Sequence, residues 1–396
     1  MQKTFSQLNQ ILIDFADMWR ESPFSTSEPR WLDQYPSLKD WLLTLSDDEV
    51  DRLQGDDNLL CQQIAPYLPV AQQIYTLIQF PFNEHQPSVV RSYAWQRDVP
   101  GRKAEQIEAF AASTGDVTHP LIEWCSGKLH LGRYLAEQFN VPVVGLEINQ
   151  RLVQQANQLA QRMASEARVE QCDVLGEDVV KKLNHQQHAI ALHACGGLHV
   201  SLLQGCIEQR VSRISLAPCC YHRFIPSGAY QPVSTIAKNS QLTLNGDDLR
   251  TAVRQSNTAA DREREKRKKL QRWRLGFDAL QRDIRGIDEY LPVPSLSVKC
   301  LDRTFDEFCH HVAQLKDIAL SGTIDFEGYE AKGNARFYEY SRYELARMAF
   351  RRALECWLVL DRVLYLEEYG YQCQLMQFCS VDLTPRNFLI DATYTA

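Results

Sequence analysis

The sequence of 396 residues predicts an α/β fold with a seven-stranded sheet, a helical domain before the sheet and a helical insertion between strands five and six. Three observations support this fold class. Five short apolar segments between residues 121 and 224 alternate with segments of helical length. Strands joined by such crossovers run parallel, so their carboxyl ends meet at one edge of the sheet. A long helical segment and two more strand segments follow near the C-terminus.

The first 105 residues predict a helical domain. Apolar residues recur there at intervals of three or four, as on one face of an amphipathic helix over residues 4–19. They are Phe5, Leu8, Leu12, Phe15 and Trp19. The second predicted domain covers residues 106–396 and contains the insertion at about residues 225–335.

The five sheet segments end in small, acidic or sulfur-bearing residues. They cover residues 121–128, 141–147, 169–173, 189–196 and 214–222. Ligands of open parallel sheets bind at the carboxyl edge, where the strand order reverses. We therefore expect a nucleotide-like cofactor at this edge.

The C-terminal region predicts the elements that complete the sheet. Residues 338–369 carry apolar side chains at helical spacing and predict one long helix that ends at Gly370. Residues 371–379 and 387–393 predict two strands joined by a turn that contains Pro385. This strand pair, added to the five parallel strands, gives seven.

Charge and composition limit the classes of protein. The formal net charge is -7, but residues 1–60 alone hold twelve acids and five bases, so the remainder is close to neutral. No apolar run reaches the roughly 18 residues of a membrane-spanning helix, and the first residues lack the apolar core of a secretory signal. We expect a cytoplasmic protein with no membrane partner, whose twelve cysteines are reduced.

The turn after the first predicted strand has a glycine at the position where cofactor backbones approach. Gly127 allows this approach because it has no side chain. The turn is not a phosphate-binding P-loop, because Lys128 is followed by Leu129 instead of serine or threonine. The dinucleotide fingerprint is also absent, since Cys125 stands where its first glycine would be. ATP hydrolysis and NAD binding are therefore disfavoured.

Two acids follow the next two strands. Glu147 lies 20 residues after Gly127, and Asp173 follows the third strand. Ribose hydroxyls are donors that an acceptor-only carboxylate can bind, and Asp173 would suit an adenine amino group. Each acid taken alone could instead be a helix cap. Together with the glycine turn, they predict binding of S-adenosyl-L-methionine (SAM), with a cofactor set of Glu123, Cys125, Gly127, Lys128, Glu147, Asp173, His193 and Cys195.

Candidate catalytic residues follow strands four and five. Methyl transfer needs a nucleophile held in line, exclusion of water and, for some acceptors, a base. His222 is the first candidate base and His193 the second, while Tyr221 could stack on a nucleobase. Purely structural roles are the alternative for these residues. A zinc site of Cys219, Cys220 and His222 would need a fourth ligand, so we predict no metal.

These motifs resemble one branch of the class I methyltransferases. The branch contains tRNA ribose 2'-O-methyltransferases with a CCHH sequence, methyltransferase-like proteins ending in SPRN, and methyltransferases with a glutathione transferase C-terminal domain. The matching residues are 124–128 with 130–132, 191–196, 217–222, 360–362 with 366–370, and 384–387. The resemblance implies a Rossmann-like class I methyltransferase sheet with SAM as cofactor. Leu129 departs from the family glycine, which leaves a non-catalytic binding module as an alternative.

A basic segment suggests the substrate. Residues 262–274, from Arg262 to Arg274, hold eight bases and two acids, with Trp273 near the end. Such a helix offers phosphate contacts and a stacking ring, so we expect RNA (tRNA or rRNA) as the partner. Charge runs are also typical of solvated helix faces, and Glu263 can pair with Arg267. A side chain of a translation-related protein is the alternative methyl acceptor.

Overall fold

The computed structural model describes residues 1–26, 28–83, 99–163, 165–225, 228–254, 261–294, 296 and 298–395. The chain forms two compact units. The sheet unit contains Met1–Ile13, Thr76–Arg254 and Arg351–Ala396, and the helical unit contains Asp14–Tyr75 and Gln255–Phe350. Each unit combines segments that are distant in sequence, whereas each predicted domain is one continuous stretch. The units therefore cannot be compared directly with the predicted domains, and the boundary near residue 105 stays a prediction.

The sheet unit contains the seven strands. They are β1 Leu121–Trp124, β2 Val143–Glu147, β3 Arg168–Gln171, β4 His188–Cys195, β5 Arg213–Cys219, β6 Tyr371–Gln377 and β7 Phe388–Tyr394. Their order is β3-β2-β1-β4-β5-β7-β6. Strands β1 to β5 pair in parallel, and β7 pairs antiparallel with both β5 and β6. This arrangement confirms the predicted α/β fold and its seven strands.

Along the chain, the helices of the sheet unit precede, separate or follow the seven strands. They are Gln2–Asp14, Gly101–Thr114, His130–Phe139, Gln150–Arg162, Gly197–Glu208, Thr235–Lys238, Gly246–Ala252 and Arg351–Glu368, with a 3₁₀ turn at Glu177–Lys182. Strand β1 is buried along its whole length, as expected for a central parallel strand covered on both faces. Its neighbour β4 carries the apolar run Ala189, Ile190, Ala191 and Leu192 into the same core.

The helical unit contains the remaining helices. They are Ala16–Arg20, Trp31–Gln34, Pro36–Thr44, Asp47–Gly55, Asp57–Ile64, Val70–Leu77 (which crosses the boundary between units), Asp261–Arg285, Phe305–Leu315 and Phe326–Met348, with a 3₁₀ turn at Val298–Asp302. The basic helix Asp261–Arg285 packs closely on Phe326–Met348. A Cβ atom on Gly333 would lie 2.5 Å from the carbonyl oxygen of Arg272, so the glycine is needed for this approach.

Two predicted helices are interrupted in the structure. The prediction of one helix over residues 338–369 was wrong, because the structure has two separate helices, Phe326–Met348 and Arg351–Glu368. Between them, the Phe350 N–H donates to the Arg347 carbonyl three residues back, which tightens the turn and ends the α-helical pattern. The predicted helix over residues 4–19 is also divided, at Phe15.

Bilayer crossing requires a helix that is both long and uniformly apolar. Within the described ranges given above, none of the helices meets that requirement.

Candidate active site

Every second residue of the turn after β1 has a left-handed backbone conformation. Cys125, Gly127 and Leu129 have φ values of 54°, 56° and 58°. The Gly127 N–H donates to Oε2 of Glu147 at 2.9 Å, and the Ser126 N–H donates to the Leu146 carbonyl at 2.9 Å. The turn is therefore fixed to the end of β2, and the structure brings Gly127 and Glu147 together as the sequence predicts.

Glu147 keeps acceptor capacity beyond these contacts. Its Oε1 atom accepts the Asn149 N–H at 2.9 Å, so among the described residues each carboxylate oxygen accepts one hydrogen bond. A carboxylate oxygen can accept two, which leaves a position on each oxygen for ribose hydroxyls. The alternative reading as a helix cap was wrong, because Asn149 caps helix Gln150–Arg162 through its own Oδ1.

Asp173 lies on the same edge and is exposed. Its Oδ1 atom accepts the Leu175 N–H at 3.0 Å, so it stabilises the local turn while Oδ2 remains available for a ligand. Two exposed apolar residues follow the acids: Ile148 is 61% exposed and Leu175 is 51% exposed. Sequence reasoning missed both of them. An apolar residue one or two positions after an acid at a strand end was the available signal.

Leu129 does not occupy the cofactor edge. Its side chain is 1% exposed and belongs to the apolar core of the sheet unit. A Cβ atom on Gly145 would lie 2.6 Å from Leu129 Cδ1, and one on Gly132 would lie 3.0 Å from it. The two glycines thus make room for the leucine beneath the turn, on the core side.

The other residues of the predicted cofactor set lie in or beside the turn. Glu123 is buried, accepts the Gly132 N–H at 2.7 Å through Oε2, and has its pKa raised to about 8 by burial. Burial likewise raises the pKa of Cys125 to about 12, so its thiol is protonated. Lys128 is exposed. Glu123 therefore supports the turn from below, while Lys128 faces solvent.

His193 is turned outward by a bulge at the end of β4. The register with β5 shifts between Leu192 and Cys195, and His193 has a φ of 73°. Its Nε2 atom lies 2.9 Å from Oε1 of Gln106, and Gln106 donates to the Leu383 carbonyl at 3.2 Å through Nε2. The glutamine orientation assigns the proton to His193 Nε2 and leaves Nδ1 as an acceptor. Sequence reasoning missed Gln106.

The ends of β4 and β5 are joined through their backbones. The Gly196 N–H donates to the Cys219 carbonyl at 3.1 Å, and the Gly197 N–H donates to the Arg223 carbonyl at 2.9 Å. A Cβ atom on Gly196 would lie 1.8 Å from the Arg223 oxygen. Only glycine permits this contact, so the two glycines explain why the strand ends meet so closely.

Three thiols gather at this junction. The Sγ atoms of Cys195, Cys219 and Cys220 lie within 4.8 Å of one another. Hydrogen bonds from the Cys195 and Cys219 thiols lower the pKa of Cys220, and contact with Cys195 raises the pKa of Cys219. The sequence shows that Cys219 and Cys220 are adjacent, but not that Cys195 joins them.

Tyr221 and His222 differ in accessibility. Tyr221 is fully buried, with its ring edge-on to His199 and the Arg362 guanidinium 5.1 Å from the ring centroid. The expected stacking of Tyr221 on a nucleobase does not fit this position. His222 is half-buried, and partial desolvation lowers its pKa. Its Nδ1 atom is buried and has no hydrogen-bond partner in the described part of the chain.

Comparison with known proteins identifies the segment that carries this geometry. Residues 102–226 match the family model described as "Methyltransferase domain". This part of the chain is therefore similar to a methyltransferase domain. It contains β1 to β5 and all of the predicted cofactor and catalytic residues.

Solved structures similar to the chain include several methyltransferases. An RNA methyltransferase from Salinibacter ruber with S-adenosyl-L-homocysteine (SAH) has 19% identity and a TM-score of 0.25, over 34% of this chain and 86% of its own. The glycopeptide N-methyltransferase MtfA with SAM has 14% identity and a TM-score of 0.24, over 34% and 59%. WbdD, co-crystallised with a kinase inhibitor, has 17% identity and a TM-score of 0.23, over 28% and 27%. This chain therefore matches only about a quarter of WbdD.

The residues of the methyltransferase domain fit SAM. The spare acceptor positions of Glu147 suit the two ribose hydroxyls, and the open Asp173 oxygen suits an amino group. The exposed side chains of Ile148 and Leu175 offer apolar surface for an adenine ring. We expect these residues to hold the adenosyl part of the cofactor.

Residues beyond the family match support the catalytic edge. Asn387 donates to the Cys379 carbonyl at 2.7 Å and accepts from Arg352 at 2.7 Å, which orders the loop between β6 and β7. The preceding Arg386 donates to the Val253 carbonyl at 3.2 Å, and its charge contributes to lowering the pKa of His193, after the larger effect of burial. Arg386, which belongs to the motif of residues 384–387, is thus a basic residue beside the site.

A buried carboxylate orders the segment that follows the site. Asp361 accepts hydrogen bonds from the Tyr230 hydroxyl, the Val233 N–H at 3.0 Å, and the N–H and hydroxyl of Ser234 at 2.8 and 2.6 Å. The motif of residues 360–362 therefore has a structural role in the sheet unit.

Proposed function

We propose that this protein is a SAM-dependent methyltransferase that acts on RNA, such as tRNA or rRNA. The observation that carries the catalytic part is the Glu147 carboxylate. It fixes the glycine turn through the Gly127 N–H and still has free acceptor positions at the cofactor edge.

The chain's residues provide binding, orientation and proton acceptance. SAM, when bound, supplies a methyl group activated by the sulfonium charge. Glu147 and Asp173 orient the adenosyl part so that an acceptor can approach in line. His193 Nδ1 is free to accept a proton from a ribose hydroxyl, because Gln106 engages Nε2. This makes His193 the better-supported base, with His222 as the second candidate.

Exposed bases of helix Asp261–Arg285 support RNA as the substrate. Arg262 and Arg267 are exposed, and Lys266 is partly exposed. The pair of Arg267 with Glu263 lies on the surface, where ion pairs contribute little and exchange readily. These side chains can neutralise backbone phosphates.

Two residues of the predicted RNA-binding segment instead make contacts within the helical unit. Trp273 is buried, packs against Phe305 and Phe308, and donates to Glu330 at 2.8 Å. Its expected role as a stacking ring was wrong. Lys268 pairs with Asp51 and Glu265. The proposed RNA contact is therefore electrostatic and centred on the first half of the basic helix.

Transfer of tritiated methyl groups tests the substrate class. The protein is incubated with labelled SAM and with total RNA or total protein from a strain that lacks it. We expect label that RNase removes. Label that resists RNase and is lost on protease treatment would overturn the RNA proposal in favour of a protein acceptor.

Charge removal tests the proposed RNA surface. The double substitution Arg262→Ala and Lys266→Ala should weaken RNA binding and reduce the slope of log K against log salt by about 0.7 to 0.9 for each lost phosphate contact. Lys181→Ala removes an exposed lysine of the sheet unit and serves as the control. An equal loss of RNA affinity in the double variant and in the Lys181→Ala control would contradict a specific role for the basic helix.

A further inference from the structure

The three thiols at the junction of β4 and β5 have the spacing of metal ligands. The Sγ atoms of Cys195 and Cys219 are 3.7 Å apart, and Cys220 Sγ lies within 4.8 Å of both. Two thiolates on one tetrahedral zinc ion lie about 3.8 Å apart, since each Zn–S bond measures about 2.3 Å. A disulfide would require an S–S distance of about 2.05 Å. The cluster therefore matches zinc ligation and not a formed disulfide.

The backbone explains how adjacent cysteines reach the same point. Successive residues of a strand project to opposite faces of a sheet, which normally separates neighbouring thiols. Cys219 is the last residue of β5, and Cys220 has a left-handed φ of 44°. The strand ends between them, and the change of backbone direction brings both sulfurs to one side. The close glycine contact at Gly196 holds Cys195 beside them.

His222 is the histidine that lies nearest to the thiols in sequence. Its Nδ1 atom is buried without a hydrogen-bond partner among the described residues. A buried polar atom of this kind is costly unless something binds it. Neither ring nitrogen of His222 lies within 4.8 Å of all three sulfurs, so the protein ligands of the cluster are the three thiols. His193, the other histidine of this edge, is engaged by Gln106.

We propose that Cys195, Cys219 and Cys220 bind one zinc ion that joins the end of β4 to the turn after β5. Three thiolates supply three of the four ligands of a tetrahedral zinc ion, and a water molecule takes the fourth position. Sulfur ligands select zinc over magnesium or calcium. Binding displaces the three thiol protons, and no oxidant or reductant is involved. The ion stabilises the strand end that carries His193.

Metal content tests this inference directly. The full-length protein is purified without chelator, and its zinc is measured by inductively coupled plasma mass spectrometry. We expect about one zinc per chain in the wild type and a loss of most of it in Cys195→Ser and Cys220→Ser. Cys373→Ser, which changes a partly buried thiol of β6 outside the cluster, is the matched control and should keep its zinc.

Cobalt substitution separates loss of ligands from loss of folding. The wild-type protein is stripped of metal and titrated with Co²⁺, while circular dichroism checks that it stays folded. We expect thiolate-to-cobalt absorption in the near ultraviolet with the intensity of three thiolates. His222→Ala should keep this absorption and a metal affinity within about threefold of wild type, because the imidazole is not one of the ligands.

Three results would overturn the zinc site. They are folded wild-type protein that contains no zinc and gives no thiolate-cobalt band, full zinc occupancy in Cys220→Ser, and a disulfide among the three cysteines found by peptide mapping of the native protein. Zinc is counted without turnover, so these outcomes do not depend on the methyl acceptor.

Discussion

The Glu147 carboxylate accepts the Gly127 backbone N–H at 2.9 Å. This contact joins the turn after β1 to the end of β2, the two places where the sequence predicts the cofactor. It also explains why the turn tolerates left-handed backbone at Cys125 and Leu129, since the surrounding contacts hold it there. The turn after β1 and the end of β2 are thus held together by the chain's own contacts.

Glu147→Ala should weaken SAH binding by about 10- to 100-fold, which corresponds to about 1–3 kcal/mol for stranded polar partners. The substitution removes the acceptors for ribose and leaves two backbone N–H groups unpaired. Isothermal titration calorimetry measures the change. Glu147→Gln keeps one acceptor oxygen and should lose less affinity. Unchanged affinity in the alanine variant would remove Glu147 from the cofactor site.

Leu129→Gly tests whether the departure from the family pattern affects the cofactor. Glycine relieves left-handed strain of about 1 kcal/mol, but the lost packing costs about 3–5 kcal/mol. We expect a lower free energy of unfolding in urea and SAH affinity within about threefold of wild type. Leu129→Ala loses similar packing and keeps the strain, so it isolates the backbone effect. A gain in SAH affinity above tenfold would mean that the leucine presses on the ligand.

Glu123→Gln should change how stability depends on pH. Burial raises the pKa of Glu123 to about 8 in the folded chain, above the ordinary value of 4.5 for a glutamate carboxyl. The folded chain therefore retains a proton that the unfolded chain releases. This contribution to the free energy of unfolding is complete below about pH 4.5 and is lost as the pH rises through about 8.

The glutamine variant lacks this titration. Relative to wild type, its free energy of unfolding should rise between about pH 4.5 and pH 8 and become level above that, measured by urea denaturation. Glu137→Gln, at an exposed position of the neighbouring helix, is the control. A difference between Glu123→Gln and wild type that stays constant over this range would contradict the raised pKa.

Asp361→Ala should destabilise the sheet unit by at least about 3 kcal/mol, because it leaves several buried donors without an acceptor. Those donors belong to Tyr230, Val233 and Ser234. Glu368→Ala is a matched control on the same helix: Glu368 accepts from Thr235 but is exposed, so its loss should cost under about 1 kcal/mol. Equal losses of unfolding free energy in the Asp361→Ala and Glu368→Ala variants would contradict this role of Asp361 as a buried acceptor.

The strands and the cofactor acids could be read from the sequence because their signals are local. Central parallel strands are buried on both faces and appear as apolar runs, as in residues 189–192. The position of Glu147 at a strand end then follows from the parallel order. The break at Phe350 had no such signal, since no proline or glycine interrupts the apolar pattern there.

The remaining features depend on contacts between distant residues. The basic sequence around Trp273 predicts an exposed ring, but in the fold the ring packs against Phe305 and Phe308. Cys195 joins Cys219 because of a bulge at His193 and a close contact at Gly196. Local patterns carry no information on such approaches, so the thiol cluster appears only in three dimensions.

Calorimetric titration of the folded wild-type protein with SAH tests the central claim most directly. The arrangement of Gly127, Glu147 and Asp173 predicts saturable heat with one site per chain, weakened by Asp173→Ala and unaffected by Asp178→Ala at a nearby exposed carboxylate. Absence of heat with both SAH and SAM in folded protein would contradict it.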